Sequence, residues 1–139
     1  MIPALPQRNR QPIKRPAKVR VNIDPTSGMN RTEARYAAHL QVRLLAGELL
    51  EWRFEALKLR LARATFYTPD FVLITTLGEI ECHDVKGKTG SGYGGWTDDA
   101  RVKIKVAAAA FAWLDFVGAA WLSKRQGGPG WKFETFPPG

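Results

Sequence analysis

The residues that could do chemistry stand close together in mid-chain: Pro69-Asp70 and, fourteen positions after Asp70, the run Asp84-Val85-Lys86. On an extended strand, side chains at i and i+2 share a face, so Asp84 and Lys86 point the same way about 7 Å apart, with Cys82 and Ile80, while Glu81, His83 and Val85 point away. If the segment carrying Asp70 is the neighbouring antiparallel strand, Asp70 lies near Asp84, and two carboxylates meet an ammonium at one end of a sheet. Carboxylates that close repel, and one pKa rises unless a cation sits between them. Such an oxygen-rich, sulfur-free ligand set suits Mg²⁺ or Mn²⁺. Each piece alone has a plainer reading, since Pro-Asp is a common turn element and Asp-x-Lys is usually a pair of solvated strand residues.

The elements that must position these residues follow from pattern. Asn30-Arg31-Thr32-Glu33 has the form of a capping box, and the apolar stripe Tyr36, Leu40, Leu44, with Ala37 and Leu45 beside it, predicts a helix running to about Leu50 unless Gly47 stops it. From Glu51 the period falls to two, with Trp52 and Phe54, then Leu57, Leu59 and Leu61, so strands are expected with a break near Ala56. After a turn at residues 62–64, residues 65–75 read as a central strand in which Pro69 demands an interrupted or edge position. Leu77-Gly78 turns the chain back into a hairpin partner over residues 79–86. Residues 87–95 hold five glycines and read as a loop. A second helix is expected from Thr97, its cap, to about Trp113, with Asp98 and Asp99 at the positive end of its dipole. Residues 116–122 and 131–136 then form a closing hairpin. The order is that of an α/β fold, a central mixed sheet flanked by two helices with a closing C-terminal hairpin.

Length and composition bound the partners. A chain of 139 residues with 45% hydrophobic and 24% charged residues suits one domain, expected over residues 29–139. The net charge of +8 suggests a polyanion, and nucleic acid leads. Six cations, Arg8, Arg10, Lys14, Arg15, Lys18 and Arg20, stand against Asp24 alone within residues 1–28, a proline-rich stretch read as a flexible basic arm that contacts DNA or simply aids solubility. The one cysteine, Cys82, allows no intrachain disulfide, and with His39 and His83 it cannot make a four-ligand zinc site. No segment reads as a signal sequence, so a reducing cytoplasm is expected. The apolar run from Val106 to Leu122 falls short of the ~20 residues of a spanning helix and contains Asp115, so a buried helix followed by a buried strand explains it and no membrane partner is expected.

The combination of Pro69-Asp70, Asp84-Val85-Lys86 and a capped helix carrying Glu33 resembles the PD-(D/E)xK nuclease superfamily over roughly residues 30–122. The passages NRTEARYA (30–37), FYTPDF (66–71) and DDARVKIKV (98–106) further resemble a family of small phage-encoded proteins within it. The resemblance implies a restriction-endonuclease-like core and a metal-dependent DNA endonuclease. It implies that Asp70 and Asp84 bind Mg²⁺ or Mn²⁺ directly, that the Val85 carbonyl adds a ligand, and that Glu33 binds through water or holds a second ion. Lys86 would orient or deprotonate the attacking water and offset phosphate charge. Asp at position 84, where Glu is commoner in the superfamily, shortens one ligand arm. By analogy, the substrate would be branched DNA such as a Holliday junction and the enzyme a homodimer. The alternative is a DNA-binding accessory protein with a vestigial metal site. Glu33, as the third residue of a capping box, already has a structural task, so its catalytic role rests on the resemblance.

Arg101, Lys103 and Lys105 of the second helix are candidate phosphate contacts, with a solvated basic face as the plain alternative. Tyr93 and Trp96 could stack on an unpaired base or anchor the glycine loop. The spacing Gly90-x-Gly92-x-x-Gly95 meets a dinucleotide fingerprint, but it follows a hairpin ending in charged residues rather than a buried parallel strand, so no dinucleotide cofactor is expected. Gly87-Lys88-Thr89 matches the end of a P-loop whose first glycine would be Cys82. His39 reads as a surface or boundary residue, and His83 faces away from Asp84.

Overall fold

A computed structural model describes residues 28–87 and 98–139. The basic arm over residues 1–28, except Gly28, lies outside the described residues, as do Tyr93, Trp96, Thr97 and the fingerprint glycines. The elements are α1 (Arg31–Leu45), β1 (Leu49–Phe54), β2 (Leu59–Ala62), β3 (Thr65–Tyr67), β4 (Phe71–Thr75), β5 (Ile80–Lys86), α2 (Asp98–Ala110), β6 (Asp115–Leu122) and β7 (Gly130–Phe136). Five strands form one mixed sheet in the order β1-β4-β5-β6-β7, and β2 and β3 form a separate hairpin. Among the described strands, only β5 and β6 pair in parallel, which requires a crossover, and α2 lies in that connection. This is the expected α/β arrangement, a central mixed sheet flanked by two helices and closed by the β6-β7 hairpin.

The capping box forms in both directions: Asn30 Oδ1 accepts from the Glu33 N–H at 2.8 Å, and Glu33 Oε2 accepts from the Asn30 N–H at 2.9 Å. Tyr36, Ala37 and Leu40 bury α1 against Phe71, Leu73 and Val85. The helix stops at Leu45 rather than Leu50, because Gly47 takes a left-handed φ of +80° and turns the chain into β1. Leu45 therefore sits in the last turn and is exposed, so it does not extend the stripe.

The other face of the sheet packs on α2. Cys82 and Phe116 join Ile104, Ala107 and Ala108 there, together with Leu59 and Tyr67 from the β2-β3 hairpin. Residues 65–75 do not make one strand. They divide at Pro69 into β3, which pairs with β2, and β4, which enters the main sheet. Proline lacks the N–H that a continuous ladder needs, and the division is the interruption its presence required. The expected break near Ala56 is also present, with Glu55 in the left-handed region at φ +48°.

Candidate metal and phosphate site

The antiparallel ladder of β4 and β5 fixes the site. Its last bridged pair is Phe71 with His83, so one further step brings Asp70 opposite Asp84. The strand parity read from sequence also holds: Ile80 and Cys82 pack on the α2 side, whereas Val85 packs on the α1 side. Asp84 is buried and Asp70 half-buried. Lys86 Nζ lies 3.4 Å from Asp84 Oδ2. Asp70 Oδ2 accepts a 2.7 Å hydrogen bond from the Val85 N–H. Burial first, and the Asp84 charge second, push the Asp70 carboxyl up to about 7; Glu33 raises it further, while the Val85 N–H and Lys86 pull it down. The structure thus brings Asp70, Asp84 and Lys86 together, with Glu33 near enough to act on Asp70.

Tyr67 is the residue that sequence reasoning missed. Its hydroxyl hydrogen-bonds Asp84, and burial together with the charges of Asp84 and Asp70 holds its phenol protonated, well above the usual range. A protonated phenol donates, so Tyr67 orients one carboxylate oxygen of Asp84. The signal available in sequence was its place three residues before Asp70, but only the β2-β3 hairpin explains how it reaches β5. Gly87 was also missed as a spacer. A Cβ there would lie 2.7 Å from Thr32 Oγ1, so the missing side chain lets the first turn of α1, with Glu33, approach the end of β5.

Among the described residues, no three His, Cys, Asp or Glu side chains converge as a ready-made metal group. Two carboxylates still suit Mg²⁺, which commonly takes one or two of them and keeps several waters or substrate phosphate oxygens. The Asp84 charge helps to raise the Asp70 carboxyl, and a cation between two such carboxylates would relieve that repulsion; Asp70 and Asp84, with the Val85 carbonyl, are the groups that could hold one. Glu33 is engaged with Asn30 through the cap, so a water-bridged role fits it better than direct ligation.

The basic residues of α2 separate. Arg101 is committed to a bidentate ion pair with Glu134 of β7, at 2.6 and 2.9 Å, which ties the helix to the hairpin. Lys103 Nζ reaches the Phe66 carbonyl at 3.4 Å, and Lys105 is exposed. Cys82 is free and buried, and burial pushes its thiol up to about 12, so it packs rather than reacts. Among the described residues no helix is long and apolar enough to cross a membrane. No family model, curated protein or solved structure matches the chain.

Proposed function

We propose that this protein is a metal-dependent DNA endonuclease that hydrolyses phosphodiester bonds at Asp70, Asp84 and Lys86. The observation that carries the reading is the Asp70–Asp84 pair, set opposite one another by the strand register, with Lys86 on the same face. A phosphodiester is anionic and repels a nucleophile, so catalysis calls for positive charge at the phosphate and an activated water. Mg²⁺ or Mn²⁺, held by Asp70, Asp84 and the Val85 carbonyl, would neutralise phosphate charge and acidify water. Lys86 donates hydrogen bonds to the attacking water or to a phosphate oxygen, Tyr67 holds Asp84 in place, and Glu33 adds negative charge at the mouth of the pair. The net charge of +8 supports DNA as the partner through counterion release. The single buried thiol is compatible with a reducing cytoplasm. The preference for branched DNA and a dimeric state rest only on analogy with small basic members of the superfamily, which include dimeric Holliday-junction resolvases.

A second reading, a DNA-binding accessory protein with a vestigial metal site, is favoured by one observation, the engagement of Glu33 in the helix cap. The two readings part when supercoiled plasmid, linear duplex, single strand and a synthetic four-way junction are incubated with Mg²⁺, with Mn²⁺ and with EDTA. Metal-dependent cutting that disappears in Asp84→Asn supports the nuclease. Tight DNA binding without cutting under either metal selects the accessory protein.

A further inference from the structure

On the α1 side of the sheet, away from the carboxylate pair, a pocket of about 430 Å³ is lined by His39, Arg43, Glu48, Glu81, His83 and Phe133. That volume is within the range of small-molecule sites. His83 is buried and held from both sides, by the Tyr36 hydroxyl at Nδ1 and by Glu81 Oε1 at Nε2, 2.9 Å away. With the Nε2–H donating to Glu81 and Nδ1 accepting from Tyr36, one tautomer satisfies the whole chain of polar groups. Glu81, half-buried beside this imidazole, stays below the usual carboxylate range because of that hydrogen bond.

The wall beside Glu81 is aromatic, with the Phe133 ring tilted by 36° from that of His39. His39 stacks on Tyr36 with ring centres 5.5 Å apart and an interplanar angle of 23°, and Phe133 follows at 6.0 Å from His39 with 49% of its surface exposed. Burial and the nearby Arg43 charge hold His39 below its ordinary pKa, which favours an uncharged ring at neutral pH. Arg43 Nε lies 3.5 Å from Glu48 Oε2. Two carboxylates against one guanidinium leave the lining net negative, so a phosphate is repelled from it. A neutral planar group offering N–H donors fits better. Among nucleobases, guanine alone presents two adjacent donors, N1–H and N2–H, that one carboxylate can accept together, beside an O6 acceptor suited to a guanidinium.

We propose that this pocket binds an unpaired guanine base, stacked against Phe133 and His39, with Glu81 accepting from its N1–H and N2–H edge and Arg43 donating to O6. The site requires no metal and goes beyond the nuclease reading. Its occupant comes either from single-stranded DNA or from a free nucleotide, and the shared chemistry is the base.

The test is a titration of the full chain in EDTA, read by tryptophan fluorescence and calorimetry; Trp131, with its ring centre 6.5 Å from that of His39, is placed to report. The probes are GMP, AMP, CMP, UMP and inorganic phosphate, followed by oligothymidylate with and without one central guanine. GMP is expected to bind at least about tenfold tighter than the other mononucleotides, because a competitor leaves the carboxylate without its donors. Phosphate alone should not bind. The guanine-bearing oligonucleotide outcompeting GMP identifies DNA as the source, and the reverse order identifies the free nucleotide. Phe133→Ala, at an exposed position, should weaken guanine binding about tenfold through lost stacking. Glu81→Gln should abolish the preference for guanine. Equal binding of all four mononucleotides, binding of phosphate alone, no binding at all, or unchanged affinity in Phe133→Ala overturns the proposal. Because EDTA is present throughout, the outcome is independent of whether Asp70 and Asp84 support cleavage.

Discussion

The backbone N–H of Val85 donates to Asp70 Oδ2 at 2.7 Å, so a carboxylate at the mouth of β4 is fixed by the residue that separates Asp84 from Lys86 on β5. The bond holds the Asp70 oxygen against the strand while Asp84, directly across the register, opposes its ionisation. Rigid placement of mutually repelling groups couples the site to both pH and metal.

The pH dependence follows from the raised Asp70 pKa. The folded protein holds a proton on Asp70 up to about 7, whereas the unfolded chain releases it near the ordinary 3.8. Between these values the native state binds more protons than the unfolded one, so stability from this group is full below the lower value and is lost as pH rises through the upper. Melting temperature in EDTA should therefore fall across that window relative to Asp70→Asn, which keeps an acceptor for Val85 but no titration. At neutral pH, Mg²⁺ should restore part of the loss in the native protein and little in the variant. Parallel profiles for the two proteins would show that the pair does not govern folding.

Lys86 and Asp84 should separate by readout. Lys86→Gln removes a positive donor while leaving both carboxylates in the chain, so any metal-dependent cutting should fall by about 10²–10⁴ while a rise in melting temperature with Mg²⁺ persists. Asp84→Asn should lose both cutting and the metal-induced rise. If Lys86→Gln also abolishes the metal response, the division of roles between ligand and proton handler is wrong.

The Asp70, Asp84 and Lys86 constellation was legible because strand parity and hairpin register are short-range properties: a period of two and a turn at Leu77-Gly78 are enough to place Asp70 across from Asp84. The capping box at Asn30 was legible for the same reason. Tyr67 was not, because its role depends on the β2-β3 hairpin standing outside the main sheet and packing β3 against α2 before the chain enters the sheet past Pro69, a tertiary arrangement without a local period. The long reading of residues 65–75 as one strand came from their unbroken apolar and β-branched character, which a single proline overrode. The Tyr36–His83–Glu81 chain was also hidden. Parity showed that His83 faces away from Asp84, but what it faces is decided by the docking of α1, 47 residues earlier.

Arg101 should behave as a structural residue. Its bidentate pair with Glu134 is about one-third exposed at both partners, so Arg101→Ala is expected to cost only about 0.2–1 kcal/mol. A double-mutant cycle with Glu134→Ala should recover that coupling. DNA affinity should retain its salt dependence in Arg101→Ala, whereas Lys105→Ala should reduce the slope of log affinity against log salt by about 1. A salt slope altered by Arg101→Ala and not by Lys105→Ala would reverse the assignment.

The buried contact of Tyr36 with His83 gives a larger effect. Tyr36 is fully buried and His83 nearly so, and removing the phenol oxygen leaves His83 Nδ1 without its Tyr36 partner at a buried position. Tyr36→Phe preserves the ring packing against Phe71 and Trp131, so the loss reports the hydrogen bond alone. Chemical denaturation should show a destabilisation of about 1–3 kcal/mol at unchanged m-value. A cost below about 0.5 kcal/mol would mean that water or a rotated imidazole satisfies the group.

The approach of α1 to β5 can be tested at Gly87. A Cβ at this position would stand 2.7 Å from Thr32 Oγ1 and 3.5 Å from both Thr32 Cβ and Cγ2, so Gly87→Ala must rotate Thr32 or push the first turn of α1 away. One rotation of Thr32 puts its methyl group in place of the hydroxyl and the other puts Hβ there at the expense of its present rotamer, so a cost of up to about 1–3 kcal/mol is expected from overpacking. Thr32→Ala removes both γ atoms and should suppress most of that cost in the double variant, giving a coupling energy of opposite sign to the single defect. Because Glu33 is the next residue along α1, the displacement should also lower any metal-dependent cleavage in Gly87→Ala and restore it in the double variant. Additive stability effects, with no suppression by Thr32→Ala, would place the strain of Gly87→Ala in its own backbone rather than in the contact with α1.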